Sequence, residues 1–386
     1  MRLRGRVLTD STETSPRIVV VDDREVAAIL PDDGGPVDRE TDGWIAPGFL
    51  DLQINGGYGI DLASEADAES AVAALARHLV RHGVTAFCPT LVTSDPATIL
   101  RRLPAMRPRL IEGGATSLGA HIEGPFLSAR FPGIHDRRFI RPPAPDEVRR
   151  WFDVGDPTIV TLAPEIEGAH EVISFLAGRG CVVSAGHTAA TAYEASAGVA
   201  AGITMATHLF NAMPPLHHRE PGAVGTLLAA DVVRVGMLAD GVHVAAQVVA
   251  FIARAIGPER LFLVSDAIAA AGAAPGPVRL GEQTVISDGR VVRRADGTLS
   301  GSAMMLDEGV RNARAWLPWL LRGQIVDMAS RTPARALNGR AGRRGRIAPG
   351  WAADLVMLDR AFGVEATIVT GRVAYDAAQS PNGGAP

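Results

Sequence analysis

Apolar, β-branched runs alternate with amphipathic stretches along most of the chain. The runs read as buried strands, and each ends on polar residues, Gly or Pro. The stretches between them, such as Glu69–His82 and Thr191–Ala200, have the spacing of helices that cover a sheet. The eight predicted strands are Gly48–Asn55, Thr85–Leu91, Leu118–Pro125, Thr158–Glu165, Cys181–Thr188, Ile203–Asn211, Val233–His243 and Leu261–Ile268.

This alternation predicts an α/β fold, a parallel (β/α)8 TIM-like barrel, and disfavours a doubly wound sheet, because polar residues end many different strands. Two late helical regions, Met305–Trp319 and Ile325–Leu337, follow the last strand. Both chain ends have β character, so we expect residues 1–46 and 347–386 to form a small β-sandwich domain beside a barrel of residues 47–346. The tail Ser380–Pro386 is expected to be frayed.

Composition and charge limit the classes of protein to which the chain can belong. The 386 residues are 47% hydrophobic with a mean hydropathy of +0.14, enough for a large core. A net charge of −4 and a pI near 6.2 give no electrostatic basis for binding nucleic acid or an anionic membrane. No apolar run suits a membrane span, and the start lacks the apolar core of a signal peptide. Cys88 and Cys181 lie in apolar runs, which predicts free buried thiols in a cytoplasmic protein.

Lysine is absent from the sequence, and every basic side chain of the Lys/Arg class is Arg. A carbamylated lysine bridging two metal ions is therefore excluded, as is a Schiff-base lysine. Any metal must be held by His, Asp or Glu.

One acidic residue and two histidines stand at the ends of three predicted strands: Glu123, His187 and His208. The carboxyl ends of barrel strands meet at one mouth, so we expect these side chains to converge. Two imidazoles and one carboxylate leave a fourth position for water, the pattern of catalytic zinc. His121 shares a strand face with Glu123, and we favour a supporting hydrogen-bonding role for it over direct ligation.

Asp266 ends the last predicted strand, where a carboxylate after an apolar run needs a partner or a function. We favour proton transfer, from an attacking water to a leaving amine, over a helix N-cap. The first strand carries Gln53 and Asn55 on one face, where many metal-dependent barrel hydrolases have His-x-His. Neutral amides are weak ligands by comparison, so we predict a site with a single metal.

Three further residues are candidates by their chemistry. Arg219 has a planar donor fork suited to phosphate, with a surface pair to Glu220 as the alternative. His135 and His243 lie in Gly-containing loops and are candidates for contacts with a substrate.

Taken together, these motifs resemble the N-acetylglucosamine-6-phosphate deacetylases of the amidohydrolase superfamily. Most of the motifs are shared with other amidohydrolases, and Asn211–Pro214 followed by Arg219–Gly222 is the specific part. The resemblance rests on Ala46–Asp51, His121–Pro125, Gly186–Thr188, His208–Pro214, Ala239–His243, Leu299–Ser302 and Pro349–Val356.

The resemblance implies an enzyme that converts N-acetylglucosamine 6-phosphate to glucosamine 6-phosphate and acetate. It implies one divalent metal ion per subunit on Glu123, His187 and His208, with Zn²⁺ favoured and Fe²⁺, Mn²⁺ or Co²⁺ as alternatives. Asp266 would move the proton, and His135 would polarise the acetamide carbonyl. The implied sugar-phosphate pocket is lined by Ile134, His135, Asn211, Ala212, Arg219, Asp240, His243, Leu299, Ser300 and Gly301. A homodimer is implied as well.

Two other readings stay open. The first is another amidohydrolase substrate, such as N-acetylgalactosamine 6-phosphate, a cyclic amide or a nucleobase. The second is a catalytically silent barrel that serves as a binding protein. The joint presence of Glu123, His187, His208 and Asp266 disfavours the silent barrel.

Overall fold

A computed structural model describes residues 1–281 and 283–379. Its central sheet is a ring of parallel strands in which each pairs with the next along the chain. The ring closes where Ile54 pairs with Ala267 and the Asp266 N–H donates to the Gln53 carbonyl at 3.0 Å. The predicted (β/α)8 barrel is therefore confirmed. Its strands are Phe49–Ile54, Val84–Val92, His121–Glu123, Ile159–Leu162, Val182–Ala185, Ile203–Ala206, Arg234–Met237 and Leu261–Leu263.

Each barrel strand lies within or close to its predicted range, and most are shorter than predicted. The ladder of the last strand ends at Leu263, for example, while the predicted run extends to Ile268. The remaining residues of each run leave the sheet as loops at the barrel mouth. Polar side chains therefore follow directly on buried strands.

Helices cover the outside of the barrel. The predicted helix Ile325–Leu337 is in fact two, because the backbone turns at Ser330 between them. Pro96–Arg102 and Gly222–Ala229 are additional helices too short to give a clear apolar period. The helices are Ala68–Leu79, Pro96–Arg102, Pro145–Val154, Ala169–Gly178, Ala192–Ala201, Gly222–Ala229, Ala246–Ile256, Leu306–Trp316, Arg322–Asp327 and Arg331–Ala336. Short 3₁₀ turns are Val80–His82, Leu103–Met106 and Ala377–Gln379.

The two ends of the chain share one sheet. Its N- and C-terminal parts join where Ile45 pairs antiparallel with Met357. In sheet order the strands are Arg372–Asp376, Val364–Val369, Leu355–Leu358, Arg39–Pro47, Arg2–Thr9, Thr12–Asp22 and Glu25–Pro31. The domain division at residues 46 and 347 stays a prediction, and the tail Ser380–Pro386 lies outside the described residues.

A four-stranded antiparallel sheet is inserted between the last barrel strand and the helix Leu306–Trp316. Ser302 at its end pairs with Ala267, next to Asp266, which attaches this insertion sheet to the barrel mouth. Its strands are Gly276–Leu280, Gln283–Ser287, Val291–Arg293 and Leu299–Ser302. Smaller pairings involve Gly56–Gly57 with Ile60–Asp61, and Thr116–Ser117 beside the second barrel strand.

The interior is closely filled. Leu52, Met205 and Phe262 belong to a buried cluster that draws on several barrel strands and on Leu337 of the final helical region. Cys88 and Cys181 are both buried and free, as predicted. Burial raises the pKa of both thiols. Across residues 1–281 and 283–379, every helix falls short of the length and apolar character that crossing a bilayer requires.

Asp51 is a buried carboxyl group beneath the site, and its ionisation should cost stability. Its Oδ1 accepts from the Ser265 N–H at 3.2 Å, while its buried Oδ2 has no hydrogen-bond partner among the described residues. Burial raises its pKa from 3.8 to about 6. The folded chain therefore retains this proton up to a higher pH than the unfolded chain does. This group's contribution to the free energy of unfolding falls as pH rises from about 4 to about 6.

We expect the difference in free energy of unfolding between Asp51→Asn and the wild type to increase with pH. It should favour the variant by about 2–3 kcal/mol more at pH 7 than at pH 4. Urea unfolding of both proteins across this pH range measures the difference. A constant difference between the two proteins would contradict a raised pKa for Asp51.

Candidate active site

Three side chains from different strand ends, and His135 from the loop after the third strand, converge at the barrel mouth. Glu123 Oε1 lies 3.3 Å from His187 Nε2 and 3.1 Å from His208 Nε2. The two imidazole nitrogens are themselves 3.1 Å apart. His135 Nε2 lies 3.8 Å from Glu123 Oε2, and all four residues are buried. Three predicted residues thus form the centre of this cluster, and His135 stands at its edge.

The hydrogen-bond partners of each imidazole indicate which of its ring nitrogens carries the proton. His187 Nδ1 lies 3.1 Å from the Phe131 carbonyl, which can only accept, so Nδ1 carries the proton and Nε2 has a free lone pair. His135 differs, because its Nδ1 accepts the Thr93 N–H at 3.1 Å. Neutral His135 therefore carries its proton on Nε2, which faces Glu123. His187 suits a metal ion, and His135 suits an oxygen that accepts a hydrogen bond.

His121 lies behind this cluster. Its Nδ1–H donates to the Leu52 carbonyl at 2.9 Å, and its Nε2 accepts from the Thr161 hydroxyl at 2.7 Å. The Thr161 hydroxyl also forms a hydrogen bond with the Thr207 hydroxyl at 2.7 Å, and Thr207 directly precedes His208 in the chain. The imidazole is thereby satisfied by hydrogen bonds within the barrel.

Two amide side chains of the first strand hold the carboxylates. Gln53 Nε2 donates to Glu123 Oε1 at 2.9 Å and to Asp266 Oδ1 at 3.1 Å. Asn55 Nδ2 also donates to Asp266 Oδ1, at 2.9 Å. In place of His-x-His, the chain has neutral donors that fix the acidic groups.

Burial and charge set different protonation states for these groups. Burial favours neutral Glu123, but the adjoining imidazoles of His187 and then His208 hold its pKa well below the ordinary range. Burial, and then the charge of Glu123, raise the pKa of Asp266 to about 7. Burial lowers the pKa of His135 to about 3, so it is neutral at pH 7. The site thus pairs an ionised carboxylate with one poised to exchange a proton.

The backbone is strained where the site residues emerge. His187, His208 and Asp266 have φ values of +48°, +30° and +47°, a region that L residues with side chains rarely adopt. Gly133 approaches from the facing loop at φ +53°, and a Cβ there would lie 2.9 Å from His187 Cε1. A glycine is therefore required where this loop passes the imidazole.

A cavity of about 630 Å³ opens above the cluster, with Glu123, His135, His187, His208 and Asp266 in its wall. Of the residues predicted for substrate contact, the wall also includes Ile134, Asn211, Ala212, His243, Leu299 and Gly301.

Three other predicted residues lie elsewhere. Among the described residues, the wall excludes Arg219, Asp240 and Ser300. Asp240 lies behind His243, whose Nδ1–H donates to Asp240 Oδ2 at 2.6 Å. Ser300 is buried, and Arg219 is exposed on the segment after the sixth barrel strand.

Several residues in functional positions escaped the sequence analysis. Thr93 holds His135, and it directly follows one of the two barrel strands to which no site residue was assigned, which was a usable signal. Arg130, Arg293 and Arg294 line the cavity near its rim. The two arginines of the insertion sheet gave no signal, because that sheet was itself not predicted.

The donor set fits a divalent metal ion. Glu123, His187 and His208 place one carboxylate oxygen and two imidazole nitrogens together in a buried position, each from a separate strand end. The donor atoms of Glu123, His135 and His187 likewise lie within 4.8 Å of one another. The tautomers favour His187 over His135 as a ligand. Such a centre beside Asp266 can activate water against an acyl carbon.

Comparison with known proteins supports the same chemistry. The model of the amidohydrolase family matches residues 44–374. The chain is 39% identical to human N-acetylglucosamine-6-phosphate deacetylase, covering 97% of this chain and 90% of the human protein. It is 35% identical to the Bacillus subtilis protein of the same name, covering 88% and 86%.

A solved structure agrees over nearly the whole chain. It is a mutant of N-acetyl-D-glucosamine-6-phosphate deacetylase from Mycobacterium smegmatis in complex with N-acetyl-D-glucosamine-6-phosphate. Its TM-score is 0.89 at 34% identity, and the match covers 97% of this chain and 99% of that one. On the family match and these near-full-length relatives, the chain belongs to the amidohydrolase family, within its group of N-acetylglucosamine-6-phosphate deacetylases.

Proposed function

We propose that this protein hydrolyses the acetamide of N-acetylglucosamine 6-phosphate, giving glucosamine 6-phosphate and acetate. The observation that carries the proposal is the meeting of Glu123, His187, His208 and Asp266 at the floor of a cavity that a sugar phosphate can enter. Relatives of similar length carry the deacetylase name, which supports the same substrate.

One divalent metal ion would be held by Glu123, His187 and His208, with Zn²⁺ proposed first and Fe²⁺, Mn²⁺ or Co²⁺ as alternatives. When bound, it would acidify a water and polarise the acetamide carbonyl.

Asp266 would carry the proton through the reaction. Gln53 and Asn55 both donate to Oδ1, which leaves Oδ2 for proton transfer. Ionised Asp266 takes a proton from water as the water oxygen bonds to the acetyl carbon. It then gives that proton to the sugar nitrogen as the carbon–nitrogen bond breaks, so acetate and a free amine leave.

His135 would stabilise the oxyanion that forms at the former carbonyl oxygen. Its Nε2–H is assigned by the Thr93 contacts, and its low pKa keeps it a neutral donor at working pH. A fixed donor of this kind is more effective than water because it needs no reorientation during the reaction.

Other residues of the cavity wall suit the phosphate. Asn211, Ala212 and His243 line one side, and Asp240 orients His243. The rim arginines Arg130, Arg293 and Arg294 add positive charge that favours an anionic substrate.

The deciding experiment is the release of free amine from N-acetylglucosamine 6-phosphate by the metal-loaded protein. We expect kcat/KM for this substrate to exceed that for N-acetylglucosamine by at least about a hundredfold, since the phosphate contacts are lost with the phosphate. N-acetylgalactosamine 6-phosphate, run in parallel, tests the alternative sugar. Equal rates with and without phosphate would refute the proposed substrate.

Asp266→Asn tests the proton carrier separately from the metal. The amide cannot accept a proton, so we expect kcat to fall by at least about a thousandfold while bound metal remains near one per chain. His187→Asn is the matched control, expected to lose metal and activity together. The wild-type rate should rise with pH through the pKa of Asp266, and a bound cation would lower that pKa. Wild-type turnover by Asp266→Asn would exclude this role.

We further propose a cytoplasmic homodimer. The family resemblance supports two copies, and the exposed position of Arg219 outside the cavity wall means that another copy would have to bring it to a substrate. Light scattering should give twice the chain mass of 40.4 kDa. Arg219→Ala should raise KM for the phosphorylated sugar about tenfold or more with little effect on the unphosphorylated one. A monomer with full activity would exclude this arrangement.

A further inference from the structure

Arg102 is a buried cation that forms no ion pair within residues 1–281 and 283–379. It ends the helix Pro96–Arg102 and is only 6% exposed. Its Nε and Nη1 atoms are buried without a hydrogen-bond partner among residues 1–281 and 283–379. A guanidinium left in this state is costly, and native chains almost always supply such N–H groups with an acceptor.

Of the acidic groups near Arg102, Asp61 and Asp95 are already engaged by other donors, and Glu65 attracts the guanidinium through its charge. Asp61 accepts from Ser64 Oγ at 2.7 Å and from the Gly281 N–H at 2.6 Å. Asp95 accepts from the Thr98 N–H and hydroxyl. Neither forms an ion pair with Arg102 in the described part of the chain. The guanidinium therefore has unused donors that no carboxylate of its own surroundings takes up.

Arg102 lines a second cavity of about 300 Å³, which lies on the other side of His135 from the proposed substrate pocket. Arg101 from the same helix and Arg279 from the insertion sheet also line it. The hydroxyls of Ser64 and Thr98 are in the same wall. Asp95 and Asp136 line the same wall, so three guanidinium groups, two carboxylates and several hydroxyls surround a space large enough for a small anion.

We propose that this cavity is a binding site for a phosphate group, either as free phosphate or as part of a phosphate monoester. Planar guanidinium groups bind phosphate oxygens through paired hydrogen bonds, and an anion would offset the positive charge by which the three arginines exceed Asp95 and Asp136. The site is separate from the proposed catalytic pocket, and it does not depend on the proposed deacetylase activity.

A phosphate group bound in this cavity would affect the position of His135. Thr93, whose N–H and hydroxyl contact His135 Nδ1 at 3.1 and 2.8 Å, lines the second cavity. Gln283 of the insertion sheet lines it as well and donates to the Ile134 carbonyl at 2.8 Å. A ligand here therefore contacts the groups that hold the proposed oxyanion donor.

The test measures phosphate binding to the metal-loaded full chain by calorimetry and by Tm, at constant ionic strength balanced with chloride. The variants are Arg102→Met, which keeps side-chain volume without charge, and Arg102→Lys, which keeps charge without the fork. Arg107→Gln is the matched control, because Arg107 is a nearby exposed arginine outside this cavity wall. Glucosamine 6-phosphate is titrated in a parallel arm.

We expect Arg102→Met to lose one phosphate site per chain, or to weaken it by at least about tenfold, and Arg102→Lys to retain part of it. Without phosphate, Arg102→Met should melt no lower than the wild type, because an uncompensated buried charge has been removed. Arg107→Gln should bind as the wild type does. A site seen with glucosamine 6-phosphate, absent with inorganic phosphate and lost in Arg102→Met identifies the monoester as the ligand, whereas a site retained in Arg102→Met is the catalytic pocket.

Arg279→Gln tests the same phosphate site if Arg102→Met does not fold, because Arg279 is exposed and lies on a different element. We expect it to weaken phosphate binding about threefold or more without lowering Tm. Unchanged phosphate binding in both Arg102→Met and Arg279→Gln, or in Arg279→Gln alone where Arg102→Met is unfolded, would overturn the proposal.

Discussion

The buried carboxylate of Glu123 is the group around which the barrel mouth is organised. An ionised carboxylate out of water is stable only if positive charge or hydrogen-bond donors surround it. Here those donors come from separate parts of the chain, namely Gln53 on the first strand and His208 at a later strand end, with the His187 imidazole beside them. The strand ends must meet closely for Glu123 to stay ionised, and this same closeness gathers the donors that suit a metal ion.

The protonation states of the other groups follow from that charge. Asp266 has a raised pKa partly because Glu123 stays negative nearby. His135 remains neutral because it is buried and because Thr93 occupies its Nδ1. One anion thus fixes a second carboxyl group in a state able to exchange protons, while a neutral imidazole provides a donor. This arrangement costs conformational energy, because the backbone is strained at His187, His208 and Asp266.

Much of the barrel was predictable because parallel strands covered on both faces are continuous apolar runs. Glu123, His187, His208 and Asp266 could be selected because each follows such a run. The insertion sheet was missed, since its short strands are exposed on one side and interrupted by Gly and Pro. Two other features depend on residues that are distant in sequence. They are the Arg102 guanidinium, with its unused donors, and the contact of Thr93 with His135. No local pattern encodes contacts of that kind.

The insertion sheet forms walls of two cavities at once, with Arg293, Leu299 and Gly301 on the substrate side and Arg279 and Gln283 on the other. Apart from the pairing of Ser302 with Ala267, it lies outside the ladder of the barrel, so most of it can vary in length and sequence without disturbing a barrel strand. Evolution can thus alter what the enzyme admits while the catalytic floor stays constant. For the same reason, exchanging this sheet between related chains is a direct route to new specificity.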